Sequence, residues 1–354
     1  MGITNIISIF IGIFVVIATL LPFIKLDHWW IRIFDFPRLQ LVFMGLLSIT
    51  LFIITWQNHT YEYIIGAGTV LAMGYQCFMI FPYTIFSKKD VLTCKDPGDH
   101  PVFSIMVMNV YMYNRNAIDA HRLIHDNKPD ILVMVETDQW WTNQMDDLKK
   151  HYPFHVLVPL ENTYGMLFYS KFKLINPQVK YILSDEIPSV HTDVELNSGE
   201  IFRFYAVHPK PPAPGHSKTS TNRDAELITI GKETREDENP VIVAGDLNDV
   251  AWSFTTNLFQ RFSELLDPRK GRGMFSTFHA RYWLFRWPLD HIFHSDHFQL
   301  LEIKTLPYFG SDHFPIYVRL CYMPSKRHKQ DEPEADVDEV EEAHDKVKRA
   351  KEEE

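Results

Sequence analysis

Three long apolar runs near the beginning of the chain constrain its fold more than any other feature. They cover residues 3–24, 39–56 and 63–86. Each run approaches or exceeds the roughly 18 to 20 residues that a helix needs to cross about 30 Å of hydrocarbon. A cleavable signal peptide is an alternative for the first run, but this run has no basic start and no small-residue cleavage site. The pattern predicts a membrane anchor at residues 1–90, with about three transmembrane helices and the lipid bilayer as a partner.

Aromatic residues flank the runs, as expected where a helix leaves the hydrocarbon and enters the lipid headgroups. They are Trp29, Trp30, Trp56, Tyr61, Tyr63 and Tyr83. The basic residues predict an orientation, because Lys and Arg in short loops resist translocation. Lys25, Arg32 and Arg38 follow the first run and Lys88 and Lys89 follow the third, whereas the other two loop regions have no Lys or Arg. With three spans, this bias predicts a multi-pass membrane protein whose large C-terminal domain is cytosolic; another number of spans would invert the prediction.

A polar linker at residues 91–101 separates the anchor from a region in which strand and helix patterns alternate. The predicted strands cover residues 103–112, 131–136, 154–158, 165–170, 190–196, 201–208, 241–244, 289–294, 298–305 and 315–321, and the predicted helices cover residues 117–126, 139–150, 222–235 and 254–262. This mixture predicts an α/β domain with mixed sheets over residues 102–322. Residues 323–354 are rich in Glu, Asp and Lys, which predicts a disordered tail or a marginal helix.

Charge and cysteine content exclude two classes of protein. The net charge of −10 argues against a protein that coats nucleic acid with a broad basic face, although a local basic cleft is compatible with it. Cys77, Cys94 and Cys321 are too far apart in sequence to indicate a zinc ribbon or a disulfide framework. A single bridge between Cys94 and Cys321 stays open at this stage.

Polar side chains stand where several predicted strands begin or end. They are Asn109, Glu136, His208, Asp246, Asn248, Asp290, His291, Asp312 and His313. Taken alone, each is more simply a turn former or a helix cap. Together they indicate a site, because open α/β sheets usually bind ligands at one strand edge, where such side chains can meet without disturbing the core.

The residue types in this set indicate metal-assisted chemistry. Carboxylates and amides without a cysteine cluster favour a hard cation such as Mg²⁺. Histidines beside the carboxylates add groups that exchange protons near neutral pH. The combination suits hydrolysis at phosphorus, in which a metal neutralises the phosphoryl oxygens and a carboxylate orients or deprotonates water.

The same residues, in this order, resemble the endonuclease/exonuclease/phosphatase superfamily with its deoxyribonuclease I-like fold. The motifs that carry the resemblance are Gly-Asp-Leu-Asn at residues 245–248 and Ser-Asp-His at residues 311–313, and the match covers residues 102–321. Residues 241–253 and 266–290 look most like membrane-anchored bacterial members, which implies a bacterial inner membrane. The resemblance implies a four-layered α/β sandwich behind the transmembrane helices, and metal-dependent phosphoester hydrolysis.

The resemblance also implies a role for each site residue. Glu136 would be the principal Mg²⁺ ligand, with Mn²⁺ as an alternative metal, Asn109 beside it and Asp312 completing the metal site. Asp246 would activate the attacking water, and Asn248 would bind the scissile phosphate. His313 would contact that phosphate while Asp290 orients it, and His208 would be a donor or proton source near the leaving group. Arg223, which opens the helix before the Gly-Asp-Leu-Asn strand, is a further candidate for a contact near the substrate.

Other residues near these motifs have simpler explanations. His291, His294 and His297 could suggest a metal cluster, but a strand followed by a turn need not bring them together. Tyr164 and Gly165 are typical of a tight turn with a packed aromatic residue. The loop at residues 267–288 interleaves basic and aromatic residues, which suits a nucleic-acid backbone, lipid headgroups or ordinary surface packing.

Three functions remain in competition. The leading hypothesis is a membrane-tethered Mg²⁺-dependent phosphodiesterase, most simply a nuclease. A second keeps the chemistry but takes a lipid headgroup or a small phosphoester as substrate, which the tether and the acidic domain favour. A third treats the domain as a non-catalytic membrane scaffold. The sequence identifies no protein partner.

Overall fold

In the computed structural model, which describes residues 2–24 and 26–353, the N-terminal region, called the anchor below, contains four α-helices. They are α1 (Ile3–Leu20), α2 (Trp29–Arg32), α3 (Arg38–Ile54) and α4 (Thr60–Ile80), with short 3₁₀ turns at Leu21–Phe23, Ile33–Asp35 and Phe81–Tyr83. Two helical segments, Ile3–Phe23 and Thr60–Tyr83, are long and apolar enough to cross a membrane. A third candidate is the pair Trp29–Asp35 and Arg38–Ile54, which is bent by 73°. The described residues therefore support two or three spans, and Lys25, used in the orientation prediction, lies outside them.

Helices α1, α3 and α4 pack against one another through small and polar residues. The hydroxyls of Ser8 and Ser48 each donate to the other residue's carbonyl oxygen at 2.8 Å. Gln76 accepts from Arg38 at 2.9 Å and donates to Thr19 at 2.9 Å. Such pairing is what polar groups need inside a bilayer, where water cannot hydrate them. Large apolar side chains remain exposed on the outside of the bundle, as expected for a lipid-facing surface.

The C-terminal region contains two mixed β-sheets. The strands are β1 (Val102–Asn109), β2 (Ile131–Val135), β3 (Phe154–Val158), β4 (Met166–Ser170), β5 (Lys173–Lys180), β6 (Ser189–Glu195), β7 (Ile201–Val207), β8 (Val241–Asp246), β9 (Asp290–His294), β10 (Phe298–Thr305) and β11 (Ile316–Tyr322). One sheet has the order β10-β11-β1-β2-β4-β3, and the other has the order β5-β6-β7-β8-β9. Only the pairs β1–β2 and β7–β8 are parallel within these sheets.

Helices cover the outer face of each sheet, which makes four layers. The helices are α5 (Ala117–Asn127), α6 (Gln139–Gln144), α7 (Thr221–Glu236) and α8 (Phe254–Ser263), and a 3₁₀ turn follows at Asp146–Lys150. The main core lies between the two sheets, where residues such as Phe103, Phe168 and Phe204 are buried. A second core lies between α5, α6 and the first sheet, and a third between α7, α8 and the second sheet. The layered α/β arrangement agrees with the expectation from the sequence.

Strand β5 is absent from the sequence predictions. It is an edge strand, hydrogen-bonded only to β6, with a bulge between Ile175 and Gln178. Most of its side chains are exposed or half-buried, and Pro177 interrupts it. Because an edge strand of this kind has no buried face of its own, it lacks the apolar alternation that identifies strands.

The C-terminal tail is a helix in the structure, where the sequence predicted disorder or a marginal helix. Helix α9 (Val337–Glu353) follows a 3₁₀ turn at Pro324–Lys329 and packs on α7 and α8 through Ala343. Its buried Lys346 donates to Asp224 at 2.7 Å and to Asp27 at 3.2 Å. The composition hid this packing, because the apolar stripe is narrow and consists of small residues, while the contacts that order the helix come from distant parts of the chain. Glu354 lies outside the described residues.

The cysteines form no disulfide. Cys77 is exposed, and Cys94 and Cys321 are buried free thiols that pack in one small cluster. The bridge that the sequence left open is therefore absent from the structure.

Candidate active site

The parallel strands β1, β2, β7 and β8 bring the predicted residues to one end of the sandwich. Asn109 ends β1 and Glu136 follows β2, and these two strands are neighbours in the first sheet. In the second sheet, His208 follows β7 and Asp246 ends the neighbouring strand β8. Asp290 pairs directly with Asp246 because β9 runs antiparallel to β8. The segment before β11 adds Asp312 and His313 to the same end.

Asn109 connects the two sheets at this point. Its Nδ2 donates to Oε1 of Glu136 at 2.7 Å and to Oδ2 of Asp246 at 3.0 Å. Its Oδ1 accepts from the backbone N–H of Tyr111 at 2.9 Å. The amide therefore holds two carboxylates from different sheets beside each other, and its own carbonyl oxygen is engaged by the backbone.

The backbone leaves the strands in a sparsely populated conformation at three places around the site. Tyr111, Glu136 and Asn248 have φ values of 53°, 58° and 52°. A non-glycine residue in this region costs about 1 to 3 kcal/mol, which the surrounding structure must offset. Gly165 faces the turn at Glu136 so closely that a Cβ there would lie 1.8 Å from the carbonyl oxygen of Thr137. The turn at Glu136 therefore requires a glycine at position 165, and this turn directs Glu136 into the site.

The donor atoms suit a divalent cation. One atom each from Glu136, His208 and Asp246 lie within 4.8 Å of one another, and so do one atom each from Asp246, Asp290 and His313. Burial raises the pKa of Glu136 to about 7 and also raises the pKa of Asp246. Two carboxylates that are costly to ionise side by side are the arrangement that a bound cation would stabilise. Asp312 lines the same cavity but belongs to neither group.

His313 is held as a cation by its neighbours. Its Nδ1 lies 2.8 Å from Oδ2 of Asp290, and its Nε2 lies 3.6 Å from Oδ2 of Asp246. Burial would lower its pKa, but the two carboxylates outweigh burial and raise the pKa to about 10. At neutral pH both ring nitrogens therefore carry protons, and Nε2–H is available on the side of Asp246.

His208 is in the opposite state. It is buried, and its Nε2 lies 4.0 Å from Oδ2 of Asp246, too far for a hydrogen bond. Burial lowers its pKa to about 4, so the ring is neutral at physiological pH. Among the described residues, its buried Nδ1 has no hydrogen-bond partner.

Asn248 and Arg223 occupy different positions relative to the cavity. The backbone N–H of Asn248 donates to Oδ1 of Asp246 at 2.9 Å, and its side chain lines the cavity while donating to the carbonyl oxygen of Pro209 at 3.0 Å. Arg223 does not line the cavity. It is buried beneath the loop, where it pairs with Asp224 and Asp249 and donates to the carbonyl oxygen of Asn248 at 2.9 Å. The structure therefore gives Arg223 a contact to the loop that carries Asn248 and no place in the lining of the cavity.

The cavity has a volume of about 630 Å³ and includes residues that the sequence patterns did not indicate. Tyr164 lines it, and its hydroxyl lies 3.0 Å from Nδ1 of His216, a residue of the loop after β7. Burial, followed by the charge of Glu136, raises the pKa of Tyr164. Phe278 packs against His313 with ring centroids 4.9 Å apart. Loop residues such as these carry no periodic signal, and the only available signal was their nearness in sequence to the strand ends.

The anchor also lines the cavity. The contributing residues are Arg32, Ile33, Phe36 and Pro37. They lie at the end of α2 and on the turn between α2 and α3, more than 70 residues before the first site residue, Asn109, in sequence. Nothing in the local sequence pattern indicated this contact.

The three histidines near β9 and the basic loop at residues 267–288 are engaged within the chain. Nε2 of His291 lies 2.9 Å from the carbonyl oxygen of Asp249, and its other ring nitrogen lies 2.6 Å from Arg269. His291, His294 and His297 are in neither candidate metal group. In the basic loop, Arg269 is buried and paired with Asp267. The remaining basic residues of that loop, Lys270, Arg272, Arg281 and Arg286, also bond within the chain.

Known proteins share this fold. Residues 106–313 match the model of the Endonuclease/Exonuclease/phosphatase family. No curated protein sequence matches the chain. An endonuclease/exonuclease/phosphatase from Beutenbergia cavernae DSM 12333 is 16% identical, with a TM-score of 0.51 over 63% of this chain and 72% of that chain. An endonuclease/exonuclease/phosphatase family protein from Bacteroides thetaiotaomicron is 18% identical, with a TM-score of 0.51 over 64% of this chain and 98% of that chain. The human Nocturnin catalytic domain with a bound sulfate anion is 19% identical, with a TM-score of 0.50 over 63% of this chain and 94% of that chain. At these identities the likeness extends to the fold alone.

Proposed function

The chain belongs to the endonuclease/exonuclease/phosphatase family, and we propose that its C-terminal domain hydrolyses phosphoester bonds with the help of a divalent cation. The observation that carries the proposal is the meeting of Glu136, Asp246 and His313 at one end of the two sheets. The pKa values of all three groups are raised from their ordinary values, and titratable groups of this kind that meet beside a cavity are candidates for a functional site.

Glu136 would hold the cation, and Asp312 lies on the same cavity wall. Oxygen donors favour Mg²⁺, with Mn²⁺ as the alternative. When bound, such a cation supplies positive charge to the phosphoryl oxygens and lowers the barrier to attack by water. Asn109 holds Glu136 and Asp246 at a fixed separation by donating to both.

Asp246 is the proposed base. Its two oxygens accept from Asn248 and Asn109, which fixes the carboxylate plane relative to the cavity. Burial raises its pKa, and a raised pKa makes a carboxylate a better acceptor for the proton of an attacking water. The neighbouring His313 keeps part of that rise in check, so the carboxylate remains ionised more readily than burial alone would allow.

His313 and Asn248 are the proposed phosphate donors. Protonated His313 would donate from Nε2 to a phosphoryl oxygen, while Asp290 holds Nδ1 and therefore the ring orientation. Asn248 retains a second N–H on its amide after donating to Pro209. His208, neutral because of burial, would act as a hydrogen-bond donor near the leaving group and would not supply a full proton.

An Asp246→Asn variant tests this proposal. With purified protein, Mg²⁺ and bis(p-nitrophenyl) phosphate or p-nitrophenyl phosphate, we expect the turnover to fall by about 10²- to 10⁴-fold, the usual contribution of a general base. Asp130→Asn is the matched control, because Asp130 is also a hydrogen-bonded aspartate at one end of a strand but accepts from Ser104 at the opposite end of the first sheet. If Asp246→Asn keeps the activity of the parent while Asp130→Asn does the same, the assignment of the base is wrong. If the parent has no metal-stimulated activity on these esters, DNA, RNA or phospholipid, the scaffold hypothesis is favoured.

We also propose that this domain faces the cytosol, on the basis of the Lys and Arg bias. A bacterial host carrying an alkaline phosphatase fusion at the C-terminus should show little periplasmic phosphatase activity, whereas a green fluorescent protein fusion should fluoresce. Strong phosphatase activity from the fusion would reject this orientation.

A further inference from the structure

The lining of the cavity combines polar catalytic candidates, such as Glu136, His208 and His313, with apolar side chains. Ile33 and Phe36 of the anchor and Phe285 and Trp287 of the domain form the apolar part, called the apolar end below, and Arg32 of the anchor adds one cation. Phe36 packs on Trp287, Trp287 on Phe278 and Phe278 on His313, so two rings lie between Phe36 and His313 in this series of contacts. A ligand that contacts both parts needs a phosphate and apolar groups.

The anchor wall is tied to the domain by hydrogen bonds on one side of the turn. The backbone N–H of Ser220 donates to the carbonyl oxygen of Asp27 at 2.7 Å, and that of Trp29 donates to Lys218 at 3.1 Å. These bonds join the anchor to the loop that carries His216 after β7. The wall is therefore an integral part of the cavity.

The other side of the turn is fixed by aromatic residues of the domain. Nε1 of Trp252 donates to the carbonyl oxygen of Asp35 at 2.8 Å. The rings of Phe36 and Trp287 pack edge to face with centroids 5.5 Å apart. These contacts hold Ile33 and Phe36 in the wall of the cavity that His313 also lines.

The apolar end of the cavity lies beside the start of α3, which would be the lipid interface if α3 crosses a membrane. The segment Trp29–Asp35 is bent by 73° from α3, so it runs close to the membrane plane if α3 crosses the membrane. The neighbouring loop exposes Trp283 by 75% and Phe285 by 51%. Gln40 on the first turns of α3 donates to the carbonyl oxygen of Leu284 at 2.5 Å, which places this aromatic loop beside the start of the span. Exposed aromatic residues at such a position are typical of the lipid interface.

We infer that the anchor is part of the substrate-binding site and that the substrate is an amphiphilic phosphoester whose apolar chain rests against Ile33 and Phe36 while its phosphate reaches Asp246 and His313. The inference rests on the proposed hydrolysis and adds the class of substrate. A lipid could enter the apolar end from the bilayer without passing through water. A polynucleotide would have to lay its charged backbone on this apolar wall, and the only anchor cation among the described residues of the lining, Arg32, is buried and lies 3.6 Å from Asp27.

Two esters with one leaving group test the inference. The full chain is reconstituted in phosphatidylcholine vesicles with Mg²⁺ and given hexadecyl p-nitrophenyl phosphate or ethyl p-nitrophenyl phosphate. Both esters release the same chromophore from the same phosphodiester, so they differ only in the apolar chain. We expect kcat/KM to be at least about tenfold higher for the hexadecyl ester, because its chain is buried in the cavity.

Variants of the anchor separate binding in the cavity from simple partition into the vesicle. Ile33→Ala should raise KM for the hexadecyl ester by about five- to tenfold with little change in kcat, and should raise KM for the ethyl ester by a smaller factor, because its short chain buries less surface against Ile33. Ile53→Ala is the matched control, because Ile53 is also an exposed isoleucine of the anchor but lies at the far end of α3. Phe36→Ala should repeat the effect of Ile33→Ala.

The outcomes distinguish this inference from the proposed function. Equal kcat/KM for the two esters, equal effects of Ile33→Ala on both, or an equal effect of Ile53→Ala would overturn the role of the anchor while leaving the hydrolase in place. Cleavage of DNA or RNA with no hexadecyl ester turnover would overturn it as well. No metal-stimulated turnover of any ester, nucleic acid or phospholipid would remove the hydrolase and the inference together.

Discussion

Metal binding should weaken markedly as the pH falls from about 8 to about 6, because Glu136 must lose its proton before it can hold a cation. Burial raises the pKa of this carboxyl to about 7, and the nearby Asp312 and Asp246 add to the rise. The pKa lies above the usual value of a glutamic acid, so the protonated, metal-free form is favoured below pH 7 and the binding form above it. The direction is therefore fixed: affinity increases with pH.

The magnitude follows from a single proton. With a pKa of about 7, about one tenth of the Glu136 carboxyls are ionised at pH 6 and about nine tenths at pH 8. The apparent dissociation constant for Mg²⁺ or Mn²⁺ should therefore be about tenfold higher at pH 6. Close to one proton should be released for each cation bound at pH 6, and very few at pH 8.

Isothermal titration calorimetry of the detergent-solubilised protein measures both quantities, because the heat in buffers of different ionisation enthalpy reports the released protons. Glu136→Gln is the control: it should bind the cation more weakly and lose most of the pH dependence. An affinity that does not change between pH 6 and pH 8 in the parent would contradict the reasoning. So would a parent-like pH dependence in Glu136→Gln.

Two further predictions concern the catalytic histidine and the tail. Asp290→Asn should lower turnover of p-nitrophenyl esters by about hundredfold and move the alkaline limit of the pH–rate profile to lower pH, because Asp290 is the strongest cause that raises the pKa of His313; an unchanged profile would refute the coupling. Lys346→Met should destabilise the protein by about 3 kcal/mol in denaturation experiments at neutral pH, since it leaves the buried carboxylate of Asp224 with only one cationic neighbour, Arg223. Burial opposes ionisation of Asp224, but Lys346 and Arg223 lower its pKa, so this stabilisation is present at neutral pH and is lost as the pH falls below the ordinary aspartate value. Lys348→Met, at an exposed position on the same helix, should change stability by less than about 0.5 kcal/mol, and equal losses in the two variants would contradict the assigned role.

Most strands and helices of the domain were predictable because their signals are local. The strand Phe298–Thr305 and the helix that begins at Phe254 match their predicted positions, since buried strands and amphipathic helices repeat apolar residues with distinct periods. Strand β5 has no buried face, so it lacks the alternation of a half-buried strand. Helix α9 does repeat apolar residues at Val340, Ala343, Val347 and Ala350, but these are short side chains in a segment dominated by charged residues. Both elements form through tertiary contacts: β5 pairs with β6, and α9 packs on α7 and α8.

The composition of the candidate site was also predictable, because polar residues at the ends of apolar strands can meet at one edge of an α/β sheet. Their electrostatics were not. Asp290 and Asp246 give His313 a pKa of about 10, whereas burial gives His208 a pKa of about 4, although both are histidines beside one aspartate. This difference depends on distances of a few ångströms between strands that are far apart in sequence.

The apolar runs and the strand-end motifs are properties of short segments, so the amino-acid order was sufficient to indicate a membrane anchor, a layered α/β domain and phosphoester chemistry. The contact of Ile33 and Phe36 with the catalytic cavity arises from folding across more than a hundred residues. The local sequences of the anchor and of the domain do not indicate this contact, because apolar residues such as Ile33 and Phe36 are equally suited to facing lipid and to packing against a distant surface. The joining of the anchor to the candidate site is therefore a property of the folded molecule, and the inferred substrate class rests on it.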